Sequence, residues 1–146
     1  MSNADAASPV PRYVLDSQAI MAHLQDEPGS SRVEELLFAS LRGELALHMS
    51  PVNVTEVFYL LWRRAGQVTA DDAVDRLPRL GVAIQEVSLA HCLEAGALKA
   101  QYPISLADAF AAALAQSLDA TVVTGDPEFK RLEDLVRIEW LPTSSG

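Results

Sequence analysis

The chain has one cysteine, Cys92, in 146 residues. A single thiol closes no internal disulfide and builds no cysteine-based zinc site, and it fits a reducing compartment. Cys92 itself reads as a small helix residue turned toward the core. No apolar run approaches the roughly 20 residues that span a bilayer. Met1 to Val10 lacks the basic start and apolar middle of a secretion signal. From these absences we expect a cytoplasmic protein with no membrane segment. Positive charge is scarce too: 11 Lys and Arg stand against 20 Asp and Glu, a net charge of −9. Non-specific nucleic-acid affinity comes from cations that neutralise phosphates, so this balance argues against tight RNA binding without metal. It does not forbid a local basic rim. The seven glycines are scattered and form no phosphate-cradling loop. No Gly-x-Ser-x-Gly turn presents a serine nucleophile. His23, His48 and His91 lie far apart in the chain and read as ordinary helix or strand residues.

Apolar residues are plentiful, at 49%, enough for one domain with a real core. Residues 1–11 read as a flexible leader, 12–141 as the domain and 142–146 as a tail. Arg12 to Leu15 reads as a buried strand and Ser17 to Gln25 as a helix broken at Pro28-Gly29. Ser31-Arg32-Val33-Glu34 has the form of a capping box. It opens a helix whose stripe is Val33, Leu36, Leu37 and Leu41. Leu45 to Met49 is a strand candidate, and Pro51 to Arg64 a helix stopped by Gly66. Thr69-x-x-Asp72 opens a further helix that closes around Pro78 and Gly81. Val82 to Val87 reads as a third strand. Ser88 to Gln101 is helical, with Leu89, Cys92, Leu93 and Ala97 on one side. Ser105 to Leu118 is apolar on nearly every face, so it is expected to be buried or at an interface. Ala120 to Val123 is a strand, Pro127 to Leu132 a short helix and Val136 to Trp140 an edge strand. Strands alternating with helices predict parallel β-α units in a three-layer α/β/α sandwich.

In such folds the working groups gather beyond the carboxyl ends of the strands. Asp16 and Asp126 stand at two such ends. Glu56 and Asp108 stand near two helix starts. Each of the four also has a plain structural reading. Asp16 and Asp126 suit helix caps, the latter before Pro127. Asn53-x-x-Glu56 and Ser105-x-x-Asp108 resemble capping pairs. Taken together the four suggest more. Converging carboxylates repel, and at least one pKa rises unless a cation neutralises them. A hard divalent ion such as Mg²⁺ or Mn²⁺ prefers that oxygen environment. Such an ion activates water and stabilises charge on a phosphodiester.

Four segments carry a resemblance: Val14-Leu15-Asp16-Ser17, Asn53-Val54-Thr55-Glu56, Ser105-Leu106-Ala107-Asp108-Ala109 and Thr124-Gly125-Asp126-Pro127-Glu128-Phe129. In this order and spacing the chain resembles the PIN-domain ribonucleases, in particular the VapC-type toxins of toxin–antitoxin pairs, from Tyr13 to Trp140. The resemblance implies a five-stranded parallel sheet and Mg²⁺- or Mn²⁺-dependent cleavage of RNA. It implies metal contacts from Asp16, Asp108 and Asp126. Glu56 then touches the metal or holds its water. Ser17, Asn53 and Thr124 become candidates for orienting these carboxylates by hydrogen bonds, with helix capping as the other reading. Arg63, Arg64, Lys130 and Arg131 are candidates for steering RNA phosphates, or simply exposed charges at helix ends. The resemblance also implies a homodimer and a small antitoxin partner lying in the active groove. On the helix that carries Glu56 we expect Phe58 and Leu61 inside, and Tyr59 or Trp62 nearer an interface. Two other readings stand beside the enzyme. One is a phosphorelay receiver-like domain, although no lysine follows the late strand. The other is a non-catalytic RNA-binding domain of the same fold, against which the intact acids argue.

Overall fold

The structure, a computed structural model, describes residues 9–143. Most of the expected leader, residues 1–8, and the end of the expected tail, 144–146, lie outside the described residues. Five short strands build one sheet: β1 (Arg12–Leu15), β2 (Ala46–Met49), β3 (Val82–Ile84), β4 (Thr121–Thr124) and β5 (Arg137–Trp140). Their order is β3-β2-β1-β4-β5 and every pairing is parallel. Six helices connect them: α1 (Ser17–Leu24), α2 (Ser30–Leu41), α3 (Pro51–Ala65), α4 (Gln67–Arg76), α5 (Leu89–Gln101) and α6 (Leu106–Leu118). Short 3₁₀ turns follow at Pro78–Leu80 and Pro127–Leu132.

Side chains alternate across a strand, and a parallel sheet must be covered on both faces. Val14 and Val122 accordingly enter one core with Leu98, Phe110, Leu114 and Phe129. Their neighbours Leu15 and Val123 enter the other, with Ile20, Leu36, Val57 and Leu77. The expected three-layer α/β/α sandwich with a five-stranded parallel sheet is the fold observed. The sheet order also disposes of the receiver alternative, because receivers place β3 beside β1 in the order 2-1-3-4-5. Here β1 lies between β2 and β4.

Several local expectations are corrected. Ser31 does not cap α2; the helix begins one residue earlier, after Gly29 in the left-handed region at φ 97°. A Cβ on Gly29 would also come within 3.2 Å of Leu141 Cβ, so glycine alone suits this start. Thr69 does not open α4, which starts at Gln67 directly after Gly66. On α5 the buried residues are Ala95 and Leu98, while Leu89 and Leu93 are exposed. The alanine-rich α6 explains this inversion. It is buried along Ala107 to Ala115, and small residues on both helices let α5 approach closely. Leu41 also faces out. On α3, Leu61 is buried, Phe58 partly so, and Tyr59 and Trp62 are exposed as expected. Among the described residues, no helix is long and apolar enough to cross a membrane.

Candidate metal centre

The chain passes from β1 to β2 on one side of the sheet and later places β4 on the other. The crevice of such a sheet opens where that order reverses, beyond the carboxyl ends of β1 and β4. Asp16 is the first residue beyond β1 and Asp126 the second beyond β4. Asp16 does cap α1: its Oδ1 accepts from the Ala19 amide at 2.8 Å. Its other oxygen accepts from the Thr124 hydroxyl. Thr124 Oγ1 in turn accepts from the Asp126 amide at 2.9 Å. One buried hydroxyl thus ties both strand-end acids together. Asp126 also fills its expected capping role, accepting from the Glu128 amide at 2.9 Å. In both acids capping consumes one oxygen, and in Asp16 the Thr124 hydroxyl occupies the other.

Capping does not explain the other two acids. The N-cap of α3 is Ser50, not Asn53. Asn53 is fully buried and donates through Nδ2 to Ser17 Oγ at 3.1 Å. Ser17 Oγ–H in turn donates to Glu56 Oε1. Asn53 and Ser17 therefore hold the Glu56 carboxylate. The N-cap of α6 is Ser105, which accepts from the Asp108 amide at 3.1 Å. That bond uses the Asp108 backbone, and the nearby Ser105 hydroxyl only partly offsets what raises the carboxyl. Asp108 Oδ2 is buried and has no hydrogen-bond partner among the described residues.

Asp108, Asp126 and Glu128 each place a carboxylate oxygen within 4.8 Å of the others. Asp16 and Glu56 are not part of that triad: Asp16 is coupled to it through Asp126 and Asp108, and Glu56 acts on Asp16. Burial pushes the Asp16 carboxyl up to about 7, with Asp126 and Glu56 adding repulsion against the Thr124 and Ala19 hydrogen bonds. Burial also raises Asp108 to about 8, helped by the charges of Asp126, Asp16 and Glu128. The site is an acidic cluster that disfavours its own ionisation and leaves one buried oxygen without a donor among the described residues. Such a cluster suits a hard cation.

Gly125 sets the approach of the β4 loop to α1. Its amide donates to Gln18 Oε1 at 2.6 Å. A Cβ there would stand 2.8 Å from Thr143 Cγ2 and 2.9 Å from Gln18 Nε2. Gly125→Ala is therefore expected to cost about 1–3 kcal/mol in denaturant unfolding, because the bond to Gln18 must open.

The family model described as PIN domain matches residues 13–135. The chain belongs to the PIN-domain family. This PIN domain superposes on several solved structures. VapBC2 from Rickettsia felis, bound to a DNA fragment from its promoter, gives a TM-score of 0.69 at 18% identity, covering 90% of this chain and 99% of that one. VapBC-1 from nontypeable Haemophilus influenzae gives 0.65 at 21%, covering 88% and 97%. Mycobacterium tuberculosis VapC20, described as a sarcin-ricin loop cleaving toxin, gives 0.60 at 15%, covering 75% and 86%. These are likenesses of fold. A comparison with curated proteins finds no match.

In this PIN domain the sequence reading missed one residue of the site, Glu128. Its signal was present in Asp126-Pro127-Glu128, where a capping acid precedes a proline-led turn that brings the second acid back beside the first. The four expected cations fare differently. Arg63 lies over the Tyr59 ring, 5.0 Å from its centroid. Arg131 donates to the Pro103 carbonyl at 2.7 Å and lies 3.7 Å from Glu128, so it is largely committed. Lys130 is exposed. Arg64 reaches the groove taken up below. The histidines stand outside the centre. His48 Nδ1 is bonded to Gln85 at 2.6 Å, and His91 packs against Phe110.

Proposed function

We propose that this chain is a divalent-metal-dependent endoribonuclease, the toxin half of a toxin–antitoxin pair, acting in the cytoplasm. One observation carries the reading. Asp16, Asp108 and Asp126, from distant segments, are electrostatically coupled, Glu56 acts on Asp16, and the buried Asp108 Oδ2 has no donor among the described residues. Asp16, Asp108 and Asp126 would hold Mg²⁺ or Mn²⁺, with Glu56 holding metal or its water and Glu128 beside them. When bound, the ion would acidify a water and stabilise charge on a scissile phosphodiester.

The chain's own residues prepare that site. Thr124 fixes the spacing of the two strand-end acids. Asn53 and Ser17 hold one Glu56 oxygen, which leaves the other to accept a proton from an attacking water. Thr124→Val keeps the shape but removes the hydroxyl. We expect it to lower cleavage about 10–100-fold, as loss of a residue that orients a ligand does. Thr124→Ser should restore most of the rate, and single-turnover assays would read the difference.

An antitoxin partner is supported by the resemblance and by a solved neighbour described as a toxin–antitoxin complex, RNA as substrate by the resemblance and by the neighbour described as a sarcin-ricin loop cleaving toxin, and a homodimer by the resemblance alone. Exposed Tyr59 and Trp62 on α3, and Leu89 and Leu93 on α5, offer apolar surface for protein contacts. The reading is tested by incubating the purified chain with RNA and Mn²⁺ or Mg²⁺, beside a chelator and Asp126→Asn. Cleavage is expected only with metal and intact Asp126. Equal cleavage in all arms contradicts it.

A further inference from the structure

A groove of about 270 Å³ runs between α1 and α3, lined by Ser17, Met21, Glu27, Glu56, Leu60 and Arg64. Glu56, Leu60 and Arg64 fall at i, i+4 and i+8, so they share one face of α3 and span about 12 Å along it. One end is the acid held by Ser17; the other is a guanidinium. Arg64 differs from most arginines of the chain. Arg32, Arg42, Arg76, Arg79, Arg131 and Arg137 each have a carboxylate partner. Arg64 instead donates to Gln25 Oε1 at 2.7 Å. A neutral amide fixes the direction of the guanidinium without cancelling its charge. An oriented cation with no carboxylate at ion-pair distance among the described residues, at the far end of a trough that begins at Glu56, suits a phosphate. Leu60 and Met21 between the two ends offer apolar contact to a base or sugar.

We propose that this groove carries the RNA strand flanking the scissile bond, with Arg64 as its phosphate contact and Gln25 positioning Arg64. The proposal rests on the nuclease reading and names the strand's path. Glu27 at the exposed rim opposes it electrostatically and limits affinity. The strand leaves the centre along α3, not past Lys130 and Arg131, where Arg131 is already tied to Pro103 and Glu128.

The test is cleavage of a short single-stranded RNA by the full chain with Mn²⁺ at several salt concentrations. Arg64→Gln is expected to raise KM about three- to tenfold with kcat little changed, and to lower the salt dependence of KM by about one phosphate contact. Arg64→Lys should recover part of the loss. Glu27→Gln should lower KM. Arg79→Gln, whose guanidinium is paired with Asp75 away from the groove, should leave KM and kcat as they are. If the wild-type chain cleaves but Arg64→Gln leaves KM and its salt dependence unchanged, the groove is not the strand's path and the nuclease reading stands. If the wild-type chain neither binds nor cleaves RNA, both fall.

Discussion

Asp108→Asn is expected to lower RNA cleavage about 10²–10³-fold and, in the same protein, to raise the melting temperature of the metal-free form above pH 8. The two effects share one cause. Asp108 is 5% exposed, surrounded by Asp126, Asp16 and Glu128, and one of its oxygens has no donor among the described residues. Keeping a charge there costs folding free energy, which is why burial and repulsion raise the group to about 8. Asparagine has nearly the same shape and no charge. It removes the repulsion but leaves an amide whose partners are incomplete, so the net gain is about 2 kcal/mol. For a chain of this size that is roughly 5 °C. The same change removes a negative oxygen from the candidate metal centre. Cleavage should fall about 10²–10³-fold, the scale on which one group stabilising transition-state charge is worth. Thermal melts in chelator at pH 9, beside single-turnover cleavage, check both halves. A lower melting temperature would mean that the carboxylate is well solvated or well paired.

The stability of the metal-free protein should fall as pH rises from about 5 to 8. Asp16 and Asp108 titrate near 3.8 when unexposed to these surroundings, and near 7 and 8 in the fold. Between these limits the native state binds more protons than the unfolded chain. Stability is therefore full below the unfolded pKa and is lost as pH passes through the folded values. At most each group contributes about 1.4 kcal/mol per pH unit. Because the acids are coupled and part of the pocket reaches solvent, we expect about 3 kcal/mol in total, or roughly 10 °C. Mg²⁺ or Mn²⁺ should flatten the curve, since a bound cation replaces the protons. Melting curves across this range, with and without Mn²⁺, test it. A flat metal-free curve would show that the acids do not share a pocket.

The layers of the fold and the strand-end acids were legible because both follow from local rules. Buried strands separated by amphipathic helices leave few parallel arrangements, and Asp16 and Asp126 are placed by where those strands end. What escaped depends on distance through space. The apolar side of α5 was misassigned because periodicity finds a face without saying what the face meets. Leu89 and Leu93 look like core residues, but the face that meets α6 is Ala95 and Leu98, with Cys92 partly buried beside them. Ser31 lost its capping role to the backbone freedom of Gly29. Glu128 needed the tight 127–132 turn to return beside Asp126. Arg131 and Arg64 are indistinguishable in sequence. Only the fold gives one of them a carbonyl and an acid, and leaves the other its charge.

Calorimetric titration of the full chain with Mn²⁺ at pH 7, in two buffers of different ionisation enthalpy, probes the shared pocket most directly. Binding is predicted to release about one proton, because the ion must displace protons held on Asp16 and Asp108. Asp108→Asn should weaken binding and reduce the release. Absence of binding heat, or binding unchanged in the variant, would contradict the account.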